Sequence, residues 1–329
     1  MFTSSKAAAA IALALIALLY RQPAHAQAYP TKPINIIVAL AAGTGMDVIV
    51  RLYGDKLSQI LGQPVVVENR PGAAGHATME GILKAPADGH TLAVATSSAM
   101  AIRPTMFKKL PYDSLSDFVP IALYLKSPFI LVVNPALPIQ SVPDLIAYIK
   151  ARPGQISFSS PSVGGAPHLA GEYLKQRFGI EMTHVPYRNS PQAIQDVAAG
   201  HVPLTFAEAG ASLPLIRDGK LRALAVTSTT RLPSLPDVPP FAEASGLSDF
   251  ETVSWHLLFV RSATPKDIVN RLHDEMKRIM AAPDMKDAII RLGLIPHGPA
   301  PIEETHAYLR SEVDKWAGIV RSLGLAGTH

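Results

Sequence analysis

The sequence predicts an α/β protein of two lobes, each built on a mostly parallel sheet flanked by helices. Three observations support this prediction. Short apolar segments alternate with segments of helical periodicity, two further apolar strands interrupt that alternation, and three successive helices are predicted after Pro265. Strands that are apolar on both faces and alternate with helices are typical of parallel sheets covered by helices.

The first 26 residues are predicted to be an export signal rather than part of the fold. A short basic start precedes an apolar run of thirteen residues, Ala7 to Leu19, and the small-x-small cleavage pattern at Ala24 to Ala26 follows it. This run is shorter than the roughly 20 apolar residues that a membrane span needs. We therefore expect a periplasmic protein exported by a cleavable signal peptide, with no membrane insertion of the mature chain.

The first strand–turn–helix unit begins at Ile34. The apolar segment 34–40 is followed by the turn Gly43-Thr44-Gly45 and then by apolar residues at helical spacing. Similar units are predicted at 65–83, 91–107, 156–178 and 182–199, with a further strand at 221–226. Repetition of this unit is what predicts the helix-covered sheets.

The two apolar strands Phe129–Val133 and His256–Val260 are predicted to connect the lobes. Residues 29–128 and 257–325 then form one discontinuous lobe, and residues 129–256 form the other. Because each strand is followed by a proline-bearing exit, we expect hinges near 133–135 and 259–262. A cleft between two such lobes is the expected place for a small ligand.

Composition and motif searches exclude several classes of function. The chain has no Cys, a net charge of +4 and no Lys/Arg run longer than two, so thiol chemistry and nucleic-acid binding are not expected. The motifs Gly-x-Ser-x-Gly, Gly-x4-Gly-Lys-Ser/Thr and His-Glu-x-x-His are absent, and Val48 stands where a dinucleotide fingerprint needs its third glycine. We expect no cofactor and no metal ion.

Two glycine-rich turns at predicted helix N-termini are the candidate binding elements. One is Gly43 to Asp47, and the other is Ser160 to His168 in the second lobe. Backbone N–H groups and the positive end of the helix dipole favour anions, so two such turns facing across a cleft suit a carboxylate. Each turn alone also has a purely structural explanation, since glycine permits tight turns and Asp47 can cap its helix.

Several short motifs occur along the chain in a specific order. They are Tyr-Pro-x-Lys-Pro-Ile from 29, Leu-Gly-Gln-Pro-Val-Val-Val-Glu-Asn-Arg-Pro-Gly from 61, Ala-Asp-Gly-His-Thr-Leu from 87, Leu-Pro-Tyr-Asp from 110, Val-Pro-Tyr from 185 and Gly-Lys-Leu-Arg-Ala-Leu-Ala-Val-Thr from 219. In these motifs the chain resembles the Bug or TctC-like receptors, the extracytoplasmic solute-binding proteins of tripartite tricarboxylate transporters. The resemblance implies a type II-like periplasmic-binding-protein fold that closes on a small organic carboxylate without catalysis.

The resemblance also implies which residues bind the ligand. They lie in the two glycine turns, at the end of a strand before a helix, and after Phe206: Gly43, Thr44, Gly45, Met46, Asp47, Thr96, Ser97, Ser98, Ser160, Gly164, Gly165, Ala166, His168, Ala207 and Glu208. No catalytic residue is expected. The expected partners are a small organic carboxylate and inner-membrane transporter subunits or a sensor domain.

The chain departs from the family pattern in ways that leave selectivity open. The first turn lacks the usual Pro and aromatic residue, and Glu208 replaces the common Asp-Asn pattern. A Glu208 buried in the cleft disfavours a second ligand carboxylate and favours an ammonium or hydroxyl; alternatively, Glu208 is a solvated residue at a helix start. The alternative function is an exported hydrolase or lyase on the same architecture, for which no nucleophile and base are identified.

Overall fold

The structure is a computed structural model that describes residues 29–39, 42–70, 75–248 and 250–328. The predicted export signal, residues 1–26, lies outside the described residues. Nothing in the described part is a helix both long and apolar enough to cross a membrane.

The first sheet contains six strands, most of which run in one direction. They are β1 (Ile34–Val38), β2 (Val65–Asn69), β3 (Thr91–Thr96), β4 (Phe118–Ser127), β10 (Ser254–Arg261) and β11 (Ile295–Pro296), in the order β11-β4-β10-β3-β1-β2. β1 pairs in parallel with β2 and β3, whereas β10 runs antiparallel to its neighbours β3 and β4, and β11 runs antiparallel to β4. The sheet is therefore mixed, with β1 to β4 sharing one direction.

The second sheet has five strands and one reversed member. They are β5 (Phe129–Val133), β6 (Ser157–Ser160), β7 (Thr183–Pro186), β8 (Leu204–Glu208) and β9 (Arg222–Val226), in the order β7-β6-β8-β5-β9. β6 is parallel to β7 and β8, and only β5 runs the opposite way. Both sheets are therefore mixed rather than mostly parallel as predicted, because β10 and β11 in the first sheet and β5 in the second pair antiparallel with their neighbours.

Helices cover both sheets. They are α1 (Gly45–Leu61), α2 (His76–Lys84), a π-helical turn (Ser98–Ile102), α3 (Arg103–Met106), α4 (Val142–Lys150), α5 (Ala166–Phe178), α6 (Ser190–Ala198), α7 (Ala209–Arg217), α8 (Phe241–Ser245), α9 (Lys266–Ala281), α10 (Pro283–Arg291) and α11 (Ile302–Ser322). The predicted three-helix tail is confirmed as α9 to α11. Apolar side chains of α9 and α10 pack with those of β1, β3 and β4, so the tail returns to the first sheet.

The chain passes between the sheets at two adjacent places. The first crossing is immediate, because β4 ends at Ser127 and β5 begins at Phe129. The return runs through residues 227–253, where the Thr227 N–H donates to the Phe129 carbonyl at 2.9 Å and the Thr252 N–H donates to the Thr227 carbonyl at 3.3 Å. These bonds hold the two crossings side by side.

This arrangement does not support the connecting role predicted for the two strands, near whose exits the hinges at 133–135 and 259–262 are expected. Each of the two supposed connecting strands belongs to a single sheet, β5 to the second and β10 to the first. Residues 254–256, expected in the second lobe, pair with β4 of the first sheet. The chain crosses where these strands begin; the prolines after them mark only the turns that leave each sheet.

Both Trp residues of the chain are buried between β10 and α11. The indole N–H groups of Trp255 on β10 and Trp316 on α11 donate to the same Glu312 carboxylate oxygen, at 2.8 and 3.1 Å. Neither indole ring is exposed to solvent. The shared carboxylate therefore ties the last helix to the first sheet.

Candidate functional site

A cavity of about 500 Å³ lies between the two lobes, beside the place where the chain crosses between them. Residues of both lobes line it. The first lobe contributes Ala42, Gly43, Thr44, Gly45, Val48, Ser127, Leu292 and Leu294, and the second contributes Asn189, Pro191, Glu208, Ala209, Gly210 and Ala211. Its volume is that of an ordinary small-molecule pocket.

Three helices begin at the wall of this cavity. Thr44 is the N-cap of α1 and accepts the Asp47 N–H at 3.2 Å, and Asn189 is the N-cap of α6 and accepts the Gln192 N–H at 2.9 Å. Glu208 occupies the N-cap position of α7, but its side chain makes no capping hydrogen bond. The positive ends of three helix dipoles therefore lie around one cavity, an arrangement that favours an anion.

The turn before α1 is shaped by the buried carboxylate of Asp47. This carboxylate accepts hydrogen bonds from the Gly43 N–H at 2.9 Å, from Asn69 Nδ2 at 2.7 Å and from Arg51 Nε at 3.1 Å. Burial alone would raise the pKa of Asp47, but these bonds outweigh it and hold the pKa below its ordinary value. The Gly43 N–H, expected to face a ligand, is thus bonded to Asp47, whose part is to position the turn.

Ser127 lines the cavity at the first crossing between the sheets. Its side chain is only 1% exposed, and its hydroxyl oxygen has no hydrogen-bond partner among the described residues. A buried hydroxyl without a partner costs free energy, so native proteins usually supply one. Ser127 is therefore a buried residue at the cavity wall whose hydroxyl lacks a partner among the described residues.

Of the fourteen described residues that line the cavity, one has a titratable side chain, Glu208, and none is Lys, Arg or His. Burial raises the pKa of its carboxyl from 4.5 to about 7, and a hydrogen bond from Ser190 partly offsets that effect. At neutral pH the carboxyl is therefore divided between its protonated and ionised forms. Glu208 is half-buried at the start of α7, which differs from the alternative interpretation of a fully solvated residue at a helix start.

The second glycine turn, residues 160–168, is absent from the described residues that line the cavity. The Ser160 hydroxyl donates to the Ser162 carbonyl at 3.0 Å and lies 2.7 Å from His184 Nε2, and the Gly164 N–H donates to His168 Nδ1 at 3.2 Å. Burial and the nearby His168 lower the pKa of His184 to about 4. Ser160 and Gly164 thus bond to groups of the second lobe, and the residues of that lobe that line the cavity are at the starts of α6 and α7.

The other predicted site residues also lie off the described cavity wall. The Ser97 hydroxyl is buried and donates to Ser254 Oγ at 3.1 Å. Thr96 ends β3, and Ser98 begins the π-helical turn. Ala166 and Ala207 are buried in the second lobe; the side chain of Met46 lies outside the described part.

Of the predicted set, the structure places Gly43, Thr44, Gly45 and Glu208 on the cavity. Sequence reasoning found the start of α7 through Glu208 but missed Ser127, the start of α6 and the apolar wall. The Asn189-Ser190-Pro191 segment could have predicted the start of α6, since Asn at the N-cap and Pro in the first turn are typical of a helix start. In the described part of the chain, no group of three or more His, Cys, Asp or Glu side chains is placed to hold a metal ion.

Comparison with known proteins identifies the family. The model of the tripartite tricarboxylate transporter family receptor, TctC, matches residues 49–325. Protein BugT of Bordetella pertussis is 35% identical over 303 residues, which cover 92% of either chain. The chain belongs to the TctC receptor family. A protein encoded in the tcbD-tcbE intergenic region of Pseudomonas sp. strain P51 is 36% identical over 293 residues, 89% of this chain and 87% of the relative.

Solved structures of TctC-like proteins share the fold. R. palustris Rpa4515 with adipate is 32% identical, with a TM-score of 0.84 over 91% of this chain and 99% of that one. MatC from Rhodopseudomonas palustris with bound malate is 26% identical, with a TM-score of 0.81 over 89% of this chain and 100% of that one. The predicted two-lobed periplasmic-binding-protein fold is confirmed, as is the prediction of a solute-binding receptor; nothing supports the hydrolase or lyase alternative.

Proposed function

We propose that this receptor captures a small organic carboxylate in the cavity between its lobes and delivers it to a tripartite transporter or a sensing partner in the periplasm. The observation that carries the proposal is the meeting of three helix N-termini at a cavity whose described lining residues include no basic side chain. Such a cavity must hold an anion through backbone N–H groups and dipoles rather than through an ion pair.

The starts of α1 and α7 support a carboxylate position in the cavity beside them. A Cβ added to Gly210 would lie 3.8 Å from the Gly45 Cα, so the two helix starts are in contact across the cleft. Two positive helix ends repel each other at this distance, and a bound anion compensates both. Because the Glu208 side chain does not cap α7, the N–H groups of its first turn are the best donors for the ligand.

The remaining wall suits the carbon skeleton of such a ligand. Val48, Leu292, Leu294 and Pro191 contribute apolar surface beside the polar end. Apolar walls with a few fixed polar groups are the usual composition of small-molecule sites. The bound adipate of Rpa4515 and malate of MatC are carboxylates held by relatives of the same fold. We include Gly43, Thr44, Gly45 and Glu208 in the proposed site, together with Ser127.

The lobes would close on the ligand by moving about the paired crossings. Strand pairing supports a division into residues 29–127 with 254–325 and residues 129–253, slightly different from the expected boundary. Contacts from both lobes to one ligand would favour the closed form, because a ligand shifts the population toward the state it binds better.

Thermal shift and native mass spectrometry with adipate, malate, succinate and acetate test this function. One carboxylate should bind at a ratio of one per chain and remain chemically unchanged. At a concentration of about 100 times its Kd it should add about 2.7 kcal/mol to the free energy of unfolding. Failure of a broad carboxylate panel to bind, or conversion of the bound carboxylate into a product, would refute the proposal.

A further inference from the structure

We propose that Glu208 is the specificity-determining residue of the cavity, and that it selects a carboxylate that also carries an ammonium group. This inference deepens the proposed function and rests on it. It names the substrate class from the charges that line the cavity.

The backbone around Glu208 leaves its side chain available to a ligand. Glu208 is the last residue of β8 and faces Phe129 of β5 in the antiparallel register, directly after the first crossing. Its carbonyl accepts the Ser212 hydroxyl at 2.8 Å, which fixes the start of α7 without using the carboxylate. The carboxylate makes no capping bond to the helix and lines the cavity.

With Glu208 ionised, the charges around the cavity do not balance unless the ligand brings a cation. The fourteen described lining residues include one acidic side chain and no basic one. An unsubstituted monocarboxylate puts a second negative charge beside Glu208, and a dicarboxylate puts a third. Like charges in a partly dehydrated site repel strongly. An ammonium group on the ligand cancels the charge of Glu208, while the carboxylate of the same ligand takes the helix N-termini.

Among the described residues, no other group supplies a counter-charge to Glu208. The group bonded to its carboxyl is the Ser190 hydroxyl, and no charged group on the strands and helices packed against it contributes to its pKa. Glu208 therefore has two ways to accept a bound carboxylate. It takes up a proton when the ligand has no cation, or it stays ionised and pairs with an ammonium.

Matched ligands measure this preference directly. Calorimetry at about pH 8 compares ω-amino acids, from glycine to 6-aminohexanoate, with two matched ligands each. These are the unsubstituted monocarboxylate and the dicarboxylate with the same number of carbon atoms. The parent protein should bind one amino acid at least about tenfold more tightly than its unsubstituted partner. Glu208→Gln should reduce that ratio about tenfold or more.

A charge control separates a local contact from a general effect of net charge. Glu181→Gln removes the same charge from an exposed position of the second lobe and should leave the preference intact. Equal ratios in Glu208→Gln and Glu181→Gln would overturn the inference. If unsubstituted carboxylates bind the parent protein and no amino acid is preferred, this inference fails while the proposed function stands. If no member of the panel binds, both fail.

Proton uptake provides a second measurement that needs no variant. Near neutral pH, an unsubstituted carboxylate should bind with uptake of a fraction of a proton, and the preferred amino acid should bind with little uptake or with proton release. Calorimetry in buffers of different ionisation enthalpy reports this number. The same proton uptake for both ligands would contradict the inference.

Discussion

Replacing Gly293 with Ala should push the two lobes apart. Gly293 lies in the turn between α10 and β11 of the first lobe, with φ +72°. A Cβ at this position would lie 2.5 Å from the Ala209 Cβ and 2.9 Å from the Leu213 Cδ1, both on α7 of the second lobe. The added methyl group therefore occupies space that the opposite lobe fills.

The cost of Gly293→Ala has two parts with different consequences. The left-handed backbone costs roughly 1–2 kcal/mol for a residue with a Cβ, in the open and the closed form alike. Carbon atoms pack at about 3.5–4.0 Å, so the contact with Ala209 requires a separation of about 1 Å. Overpacking of this kind costs about 1–3 kcal/mol, and only while the lobes are together. A ligand that needs the closed form should therefore bind roughly 5- to 150-fold more weakly.

Gly62→Ala is the matched control. Gly62 follows α1 with φ +68° and has no atom within 4 Å of an added Cβ, so it carries the backbone cost without the contact. Isothermal calorimetry with the best-bound carboxylate compares the two variants, and small-angle scattering should give a larger radius of gyration for Gly293→Ala alone. Equal affinities in the two variants would refute the reasoning.

Three further predictions concern the site. Asp47→Ala should lower the free energy of unfolding by roughly 1–3 kcal/mol in urea titrations, because it leaves the donors of Gly43, Arg51 and Asn69 without their acceptor; an unchanged midpoint contradicts this. Ser127→Ala breaks no hydrogen bond of the described residues, so the ligand-free variant should be as stable as the parent protein. The variant should bind the ligand about 3- to 10-fold more weakly, because it loses a hydrogen bond from the Ser127 hydroxyl to the ligand. Unchanged affinity would exclude that hydrogen bond. Since the pKa of Glu208 is raised from 4.5 to about 7 by folding, the parent protein should lose stability as pH rises across that interval. Glu208→Gln has no carboxyl to titrate and therefore lacks this loss of stability. The melting temperature of the variant minus that of the parent should increase from about pH 5 to pH 8, by the equivalent of about 1–3 kcal/mol in the free energy of unfolding. If the melting temperatures of the two proteins change with pH in parallel, the pKa of Glu208 is not raised.

Local patterns made the strand–turn–helix units and the first binding turn predictable. The turn Gly43-Thr44-Gly45 combines a glycine at φ +80° with Thr44 as N-cap, and both signals lie within a few residues of the helix that they start. Glu208 was predictable as a site residue for a similar reason, since it lies where a buried strand is followed directly by a helix.

Features that depend on distant parts of the chain were not predictable in this way. Ser127 and Leu292 are separated by more than half of the sequence, and no local motif marks either as part of one cavity. The direction of β10 is set by its pairing with β3 and β4, which its apolar composition does not encode. The connecting role predicted for β5 and β10 failed for that reason, because proline after a strand signals a turn without showing which sheet the strand joins.

The buried pair Trp255 and Trp316 has a consequence for optical measurements on this receptor. Since the chain has only two Trp residues and both donate to Glu312, all tryptophan emission originates from one place in the first lobe. An unfolding curve followed by that emission therefore reports the surroundings of these two rings, which belong to a buried cluster shared with side chains of the second lobe. Far-UV circular dichroism reports the helix content of both lobes together. The difference between the two midpoints thus measures how far the lobes unfold together.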